Sequence, residues 1–162
     1  MPKQNAILTA AIKPSKNDAM ETQVYHQLNM SEKCNVEVPS KILLVDDEKE
    51  FVQTLSERLQ MRDMGTAVVY DGNAALAQIQ RDEPEVMIID LKMPGIDGME
   101  LLKQVKQTCP RIQVIVMTGH GSEQDKKKCM ELGAFSYMQK PVDINLLSES
   151  LKKAYKKIKA VE

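Results

Sequence analysis

The sequence predicts an α/β domain built on an open, doubly wound parallel sheet, and three observations lead there. From Lys41 onward, short apolar runs alternate with stretches of helical period, five times over. Three of the runs, Ile42 to Val45, Val86 to Ile89 and Val114 to Met117, are continuous rather than alternating, as inner strands covered by helices on both faces require. Glycines punctuate the boundaries, at Gly72, Gly98, Gly121 and Gly133.

Each element has its own signal. Ile42 to Val45 closes on Asp46-Asp47-Glu48, after which Phe51, Leu55 and Leu59 recur every four residues and predict the first helix. Ala67 to Tyr70 predicts the second strand, with Gly72 opening the next helical stretch. Val86 to Ile89 ends at Asp90, and beyond the Met93-Pro94-Gly95 loop Leu101 and Val105 share a helical face. Val114 to Met117 runs into Thr118-Gly119. Ser122 and Asp125 are then spaced as a capping box, and Gly133 stands where a helix needs a left-handed residue to stop. A weaker fifth run, Phe135 to Met138, precedes Lys140-Pro141, and Leu147, Leu151, Ala154 and Ile158 mark the buried face of a last helix.

Residues 1–40 lack this alternation, balance four lysines against four acids and end in Pro39-Ser40, so they read as a flexible extension. The alternative within them is a short amphipathic helix in which Met20, Val24 and Leu28 share a face behind Asp18 and Glu21; at that length it forms only if it docks. The organisation expected is an extension over 1–40 and one folded domain over 41–162.

Composition excludes several function classes. Lys and Arg number 22 against 23 Asp and Glu, a formal charge of -1 that gives no global attraction to polyanions, so direct nucleic-acid binding is not expected. The longest apolar runs are far shorter than the ~20 residues of a membrane helix. Cys34, Cys109 and Cys129 are odd in number and show no C-x-x-C spacing, which speaks against a disulfide framework and a zinc site and for a reducing, cytoplasmic setting. His26 stands alone and suggests no function.

The chemistry gathers where strands end. In a parallel sheet all carboxyl ends face one edge, so Asp46, Asp47, Asp90, Thr118 and Lys140 converge on one crevice. Such a cluster of like charge calls for a cation, and hard oxygen donors in a partly open site suit Mg2+. An aspartate there is a candidate nucleophile able to form an acyl phosphate, with Asp90 the candidate and Lys140 and Thr118 placed to neutralise a phosphoryl group.

From Lys41 to about Lys159 the chain resembles a response-regulator receiver domain of bacterial two-component systems. The likeness rests on Lys41-Ile-Leu-Leu-Val-Asp-Asp-Glu48, Asp90-Leu-Lys-Met-Pro-Gly-Ile-Asp-Gly98, Val114-Ile-Val-Met-Thr-Gly119 and Tyr137-Met-Gln-Lys-Pro141, in order, spacing and strand context. The resemblance implies a flavodoxin-like, five-stranded sheet of order 2-1-3-4-5 with five helices. It implies that Asp90 accepts a phosphoryl group from a histidine kinase or a histidine phosphotransfer protein. Asp46 and Asp47 would hold Mg2+ with Asp90 and the backbone carbonyl of Lys92. Thr118 would move to bind a phosphoryl oxygen, Tyr137 would change rotamer with it, and Lys140 would pair with the phosphoryl group ahead of a cis peptide at Pro141. Lys92 and His120 would tune how long the phosphoryl group lasts.

The function this implies is a phosphorylation-controlled binding module with at most weak Mg-dependent autophosphorylation and autodephosphorylation, and not a metabolic enzyme. Its output face would be the fourth helix, fifth strand and fifth helix, acting on a downstream protein target or through a phosphorylation-dependent homodimer. About one helix follows Lys140, which fits a stand-alone receiver; the alternative is a receiver fragment of a longer regulator or hybrid kinase. A third reading, an aspartyl-phosphate hydrolase resembling the haloacid dehalogenase family, wants a second acid two residues after the nucleophile, where this chain has Lys92. The lysine runs 126–128 and 152–159 read as solvated helix faces, and Cys129 as helix packing.

Overall fold

The computed structural model describes residues 36–162; the amphipathic stretch around Met20 to Leu28, His26 and Cys34 lie outside the described residues. The elements alternate in chain order as β1 (Ile42–Val45), α1 (Lys49–Gln60), β2 (Thr66–Val69), α2 (Gly72–Arg81) and β3 (Val86–Ile89), followed by α3 (Gly98–Thr108), β4 (Gln113–Thr118), α4 (Glu123–Glu131), β5 (Ser136–Gln139) and α5 (Ile144–Lys159). All strand pairs are parallel and the order is β2-β1-β3-β4-β5, the doubly wound topology the resemblance implies.

The continuous apolar runs are explained by burial on both faces. In β1, β3 and β4 every residue is buried. Leu43, Val45, Met87, Ile89, Val114 and Val116 face a layer built from α2, α3 and α4, through Ala75, Ile79, Leu101, Leu102, Val105 and Cys129. Their strand neighbours Ile42, Leu44, Val86, Ile88, Ile115 and Met117 face the opposite layer, where α1 and α5 contribute Val52, Leu59, Leu147, Leu151 and Ala154. With each buried aliphatic side chain contributing ~1.5–3 kcal/mol of transfer free energy, these two layers hold the sheet as a rigid platform.

Helix starts follow the polar signals. Ser122 and Asp125 form the expected capping box on α4, and Asp71, Asp97 and Asp143 accept backbone N–H bonds at the starts of α2, α3 and α5. Gly133 carries φ +99° and ends α4 as anticipated. The second and fifth strands shift by one residue from the apolar runs and the fourth extends by one at each end, because ladder hydrogen bonds take in a polar neighbour, as with Thr66, Gln113, Thr118 and Gln139.

One loop is tied tightly to the sheet edge. After β3 the chain folds back so that Gly98 N–H donates to the Leu91 carbonyl at 3.0 Å. A Cβ at Gly98 would collide with the Asp90 carbonyl oxygen and lie 2.7 Å from Leu91 Cα, and both obstacles are backbone. Gly98→Ala is therefore expected to cost about 2–3 kcal/mol. Gly119→Ala, whose new methyl would find nothing nearer than Lys140 Cβ at 4.0 Å, should stay within about 0.5 kcal/mol. Urea denaturation of both variants checks this, and equal losses would refute the packing argument.

Candidate functional site

The carboxyl edge of the sheet assembles the site because the ladder continues one step past several strands. Asp46 N–H donates to the Val69 carbonyl at 3.2 Å, Asp90 N–H to the Val45 carbonyl at 3.1 Å, and Lys140 N–H to the Thr118 carbonyl at 2.9 Å. Asp46 and Asp90 are thereby held at neighbouring strand ends, and each is only 5% exposed. Lys140 reaches them from beyond β5, across the end of β4. Its Nζ lies 2.7 Å from Asp46 Oδ2, 3.0 Å from Glu48 Oε1 and 3.7 Å from Asp90 Oδ2. The Lys140–Pro141 peptide is cis.

Three carboxylates and one ammonium leave the crevice acidic. Carboxylate oxygens of Asp46, Glu48 and Asp90 all approach within 4.8 Å of one another, a donor set of hard oxygens that fits a divalent cation such as Mg2+. Burial pushes the Asp46 carboxyl above its ordinary range, with the hydrogen bond from Lys140 opposing that shift. For Lys140, burial alone would lower the ammonium, but its hydrogen bonds to Asp46 and Glu48 win and hold it above the ordinary lysine range. The ammonium also sits 4.3 Å from the centre of the Phe51 ring, whose electron-rich face favours a cation.

The sequence-predicted residues separate into groups. Asp46, Asp90 and Lys140 meet directly. Thr118 ends β4 fully buried, with its Oγ1 accepting from His120 N–H at 3.3 Å. Tyr137 lies on β5 opposite Val116, its hydroxyl buried and without a hydrogen-bond partner among the described residues. Asp47, Lys92 and His120 are exposed at the rim, and Asp47 stands outside the close group of three carboxylates. Asp46 does not cap α1 with its side chain in the usual way: Glu48 holds the N-cap position without a side-chain bond, and Asp46 Oδ1 accepts from Glu48 N–H at 2.9 Å.

Glu48 and Phe51 are the residues that sequence reasoning passed over. Glu48 read as the tail of an acidic turn and Phe51 as one apolar position of a helix face. The usable signal was their place in the first turn after a strand end, where side chains overhang the crevice.

Comparisons with known proteins identify the family. Residues 42–152 match the family model described as the response regulator receiver domain. Sporulation initiation phosphotransferase F of Bacillus subtilis is 34% identical over 113 residues, covering 70% of this chain and 91% of that protein. The uncharacterized transcriptional regulatory protein YesN of Bacillus subtilis is 32% identical over 122 residues, 74% of this chain but 33% of its own length. Against several longer regulators the chain thus spans only about a fifth to a third of the relative. Among solved structures, a response regulator receiver domain protein from Clostridium thermocellum superposes with a TM-score of 0.73 at 30% identity, covering 76% of this chain and 99% of that one. The chain belongs to the response regulator receiver domain family. Receiver domains of this family are phosphorylation-dependent signalling modules rather than metabolic enzymes. Among the described residues no helix is long and apolar enough to cross a membrane.

The two acidic partners of Lys140 differ in burial, and stability should report the difference. The Asp46 side chain is 7% exposed and that of Glu48 62%. Replacing Lys140 by Met leaves Asp46 and Asp90 as uncompensated buried carboxylates and should cost roughly 3 kcal/mol. Glu48→Gln removes an exposed partner and should cost under about 1 kcal/mol. Denaturation curves at neutral pH decide, and comparable losses would show that burial does not set the strength of these pairs.

Proposed function

We propose that Asp90 is the phosphoacceptor of this receiver, taking a phosphoryl group from a histidine kinase or a histidine phosphotransfer protein. The observation that carries this reading is the position of Asp90: buried at the end of a central strand, beside a second buried carboxylate, with the Lys140 ammonium 3.7 Å away and Thr118 at the end of the adjacent strand. In the transfer, a phosphorus–nitrogen bond of the donor's phosphohistidine breaks and a phosphorus–oxygen bond to the Asp90 carboxylate forms, leaving the imidazole to regain a proton.

Bound Mg2+ would neutralise phosphoryl oxygens, held by Asp46, Asp47, Asp90 and the backbone carbonyl of Lys92, with Glu48 close enough to add charge. The chain's own residues do the rest. Lys140 exchanges part of its pairing with the carboxylates for a phosphoryl oxygen, and Thr118 supplies a hydroxyl on the other side. Tyr137 follows Thr118, so that phosphorylation biases a two-state element and changes how the face formed by α4, β5 and α5 binds a downstream protein. Lys92 and His120, exposed at the rim, set the access of water to the acyl phosphate.

In this reading residues 41–162 form the signalling domain and 1–40 an extension, the setting is cytoplasmic, and the target is a protein rather than nucleic acid. The likeness to sporulation initiation phosphotransferase F, 91% of which is covered, supports a receiver that works alone. The second reading, a receiver acting within a longer regulator, is supported by relatives of which this chain matches only a third or less.

A small phosphodonor with Mg2+ tests the assignment. Intact-mass measurement should show one phosphoryl adduct on the wild type, none on Asp90→Asn, and none when the divalent cation is chelated. An adduct that persists on Asp90→Asn would refute the choice of phosphoacceptor.

A further inference from the structure

Gly121 lies between Thr118 and α4, and the site as described gives it no role. Its surroundings do. A Cβ built on Gly121 would overlap the Tyr137 hydroxyl oxygen, and would stand 2.7 Å from Thr118 Cγ2 and 2.9 Å from Tyr137 Cζ. The ring tip of Tyr137, the methyl of Thr118 and the backbone of residue 121 therefore share one space, and that space exists because residue 121 has no side chain.

Hydrogen bonding does not hold the ring there, since the Tyr137 hydroxyl is buried with no partner among the described residues. A buried hydroxyl without a partner loses the solvation that water would give it, so an outward position in which the oxygen meets solvent is favoured on that count. What keeps the ring inward is packing: Tyr137 rests against the buried cluster that includes Val116 and Cys129. Shape at Gly121 thus decides a balance in which polarity and packing oppose each other.

We propose that Gly121 is the positioning residue that seats the Tyr137 ring against Thr118, so that the identity of residue 121 selects between the inward and outward ring without touching Asp90. This rests on the reading of Thr118 and Tyr137 as coupled, and adds to it the residue that makes the inward seat available. A methyl group at 121 meets the far end of a side chain on an edge strand, which can swing to solvent, whereas Thr118 is fully buried and less free to yield. The backbone at 121 is not in the left-handed region, the positive-φ glycines being Gly95 and Gly133, so alanine is excluded by contact with the ring and not by its own φ. With alanine there, the ring stays outward whether or not Asp90 carries a phosphoryl group, and the output face loses its dependence on phosphorylation.

The test is NMR of the full chain with labelled tyrosine rings and threonine methyls, the Tyr137 signal being assigned from Tyr137→Phe. The unphosphorylated wild type should show a nuclear Overhauser contact between the Tyr137 ring and the Thr118 methyl. In Gly121→Ala that contact should vanish and the Thr118 methyl should lose its ring-current shift, while the yield of acyl phosphate from a small phosphodonor stays within about twofold of wild type. A ring–methyl contact retained in Gly121→Ala overturns the proposal, as does its absence from the wild type. Should Gly121→Ala fail to fold, the double variant Gly121→Ala/Tyr137→Ala should fold, because the overlapping ring is gone and the Thr118 methyl, 2.7 Å from the new Cβ, gains the vacated space to turn into; a double variant that also fails overturns it. Failure of the underlying reading looks different. In that case the seating contact behaves as stated, but the Thr118 methyl does not shift when the wild type is phosphorylated.

Discussion

The site depends on one electrostatic constraint: two buried carboxylates share an edge of the sheet and one lysine compensates them. Parallel pairing of β1 with β3 brings Asp46 and Asp90 to adjacent strand ends, where both are buried. Like charges at such separation in a poorly solvated crevice repel strongly. Lys140 lowers that cost from beyond β5, two strands from Asp90 and three from Asp46, and it can do so because the β4–β5 ladder runs one bond beyond the strand and fixes its backbone. Neutralisation stays incomplete, since Glu48 brings a third carboxylate to the same ammonium. The residual negative charge is what makes the crevice receptive to a divalent cation.

The layers beneath the edge supply the rigidity this arrangement needs. Buried aliphatic side chains on both faces hold β1, β3 and β4 in register, so the strand ends move little relative to one another. Adaptability is left to the rim. Glu48, Asp47, Lys92 and His120 are exposed, and the fifth strand is an edge strand whose side chains are half-buried or exposed. A phosphoryl group arriving at Asp90 would find a fixed acceptor and a lysine held partly by an exposed, easily surrendered partner. Tyr137 borders the adaptable part: it lies on this edge strand, packed against the buried cluster, with its hydroxyl lacking a partner among the described residues.

Much of this was legible in the sequence, for definite physical reasons. Unbroken runs such as Val86 to Ile89, short and alternating with helical stretches, fit inner strands of a doubly covered sheet. The acidic, hydroxyl and lysine residues were readable as one site because parallel topology sends every strand end to the same side. Ser122 with Asp125 and Gly133 marked the limits of α4 through local capping chemistry that needs no tertiary partner. Glu48 and Phe51 were not legible, because an exposed acid in a turn and an apolar helix position look the same whether or not an ammonium lies above them.

The sequence by itself determined the element order, the two-sided burial of the sheet, the edge on which the chemistry sits and the residue types available there, since these follow from periodicity and topology. Only the tertiary structure decided which acid Lys140 holds, that Phe51 backs its ammonium, that Asp47 stands apart from the close carboxylates, and that the Tyr137 ring fills the space left by Gly121. Those are matters of side-chain reach across residues ninety or more apart in sequence for Lys140, and of a missing Cβ for Tyr137. Neither leaves a periodic trace in the chain, because both are set by packing between elements and not by the pattern within one.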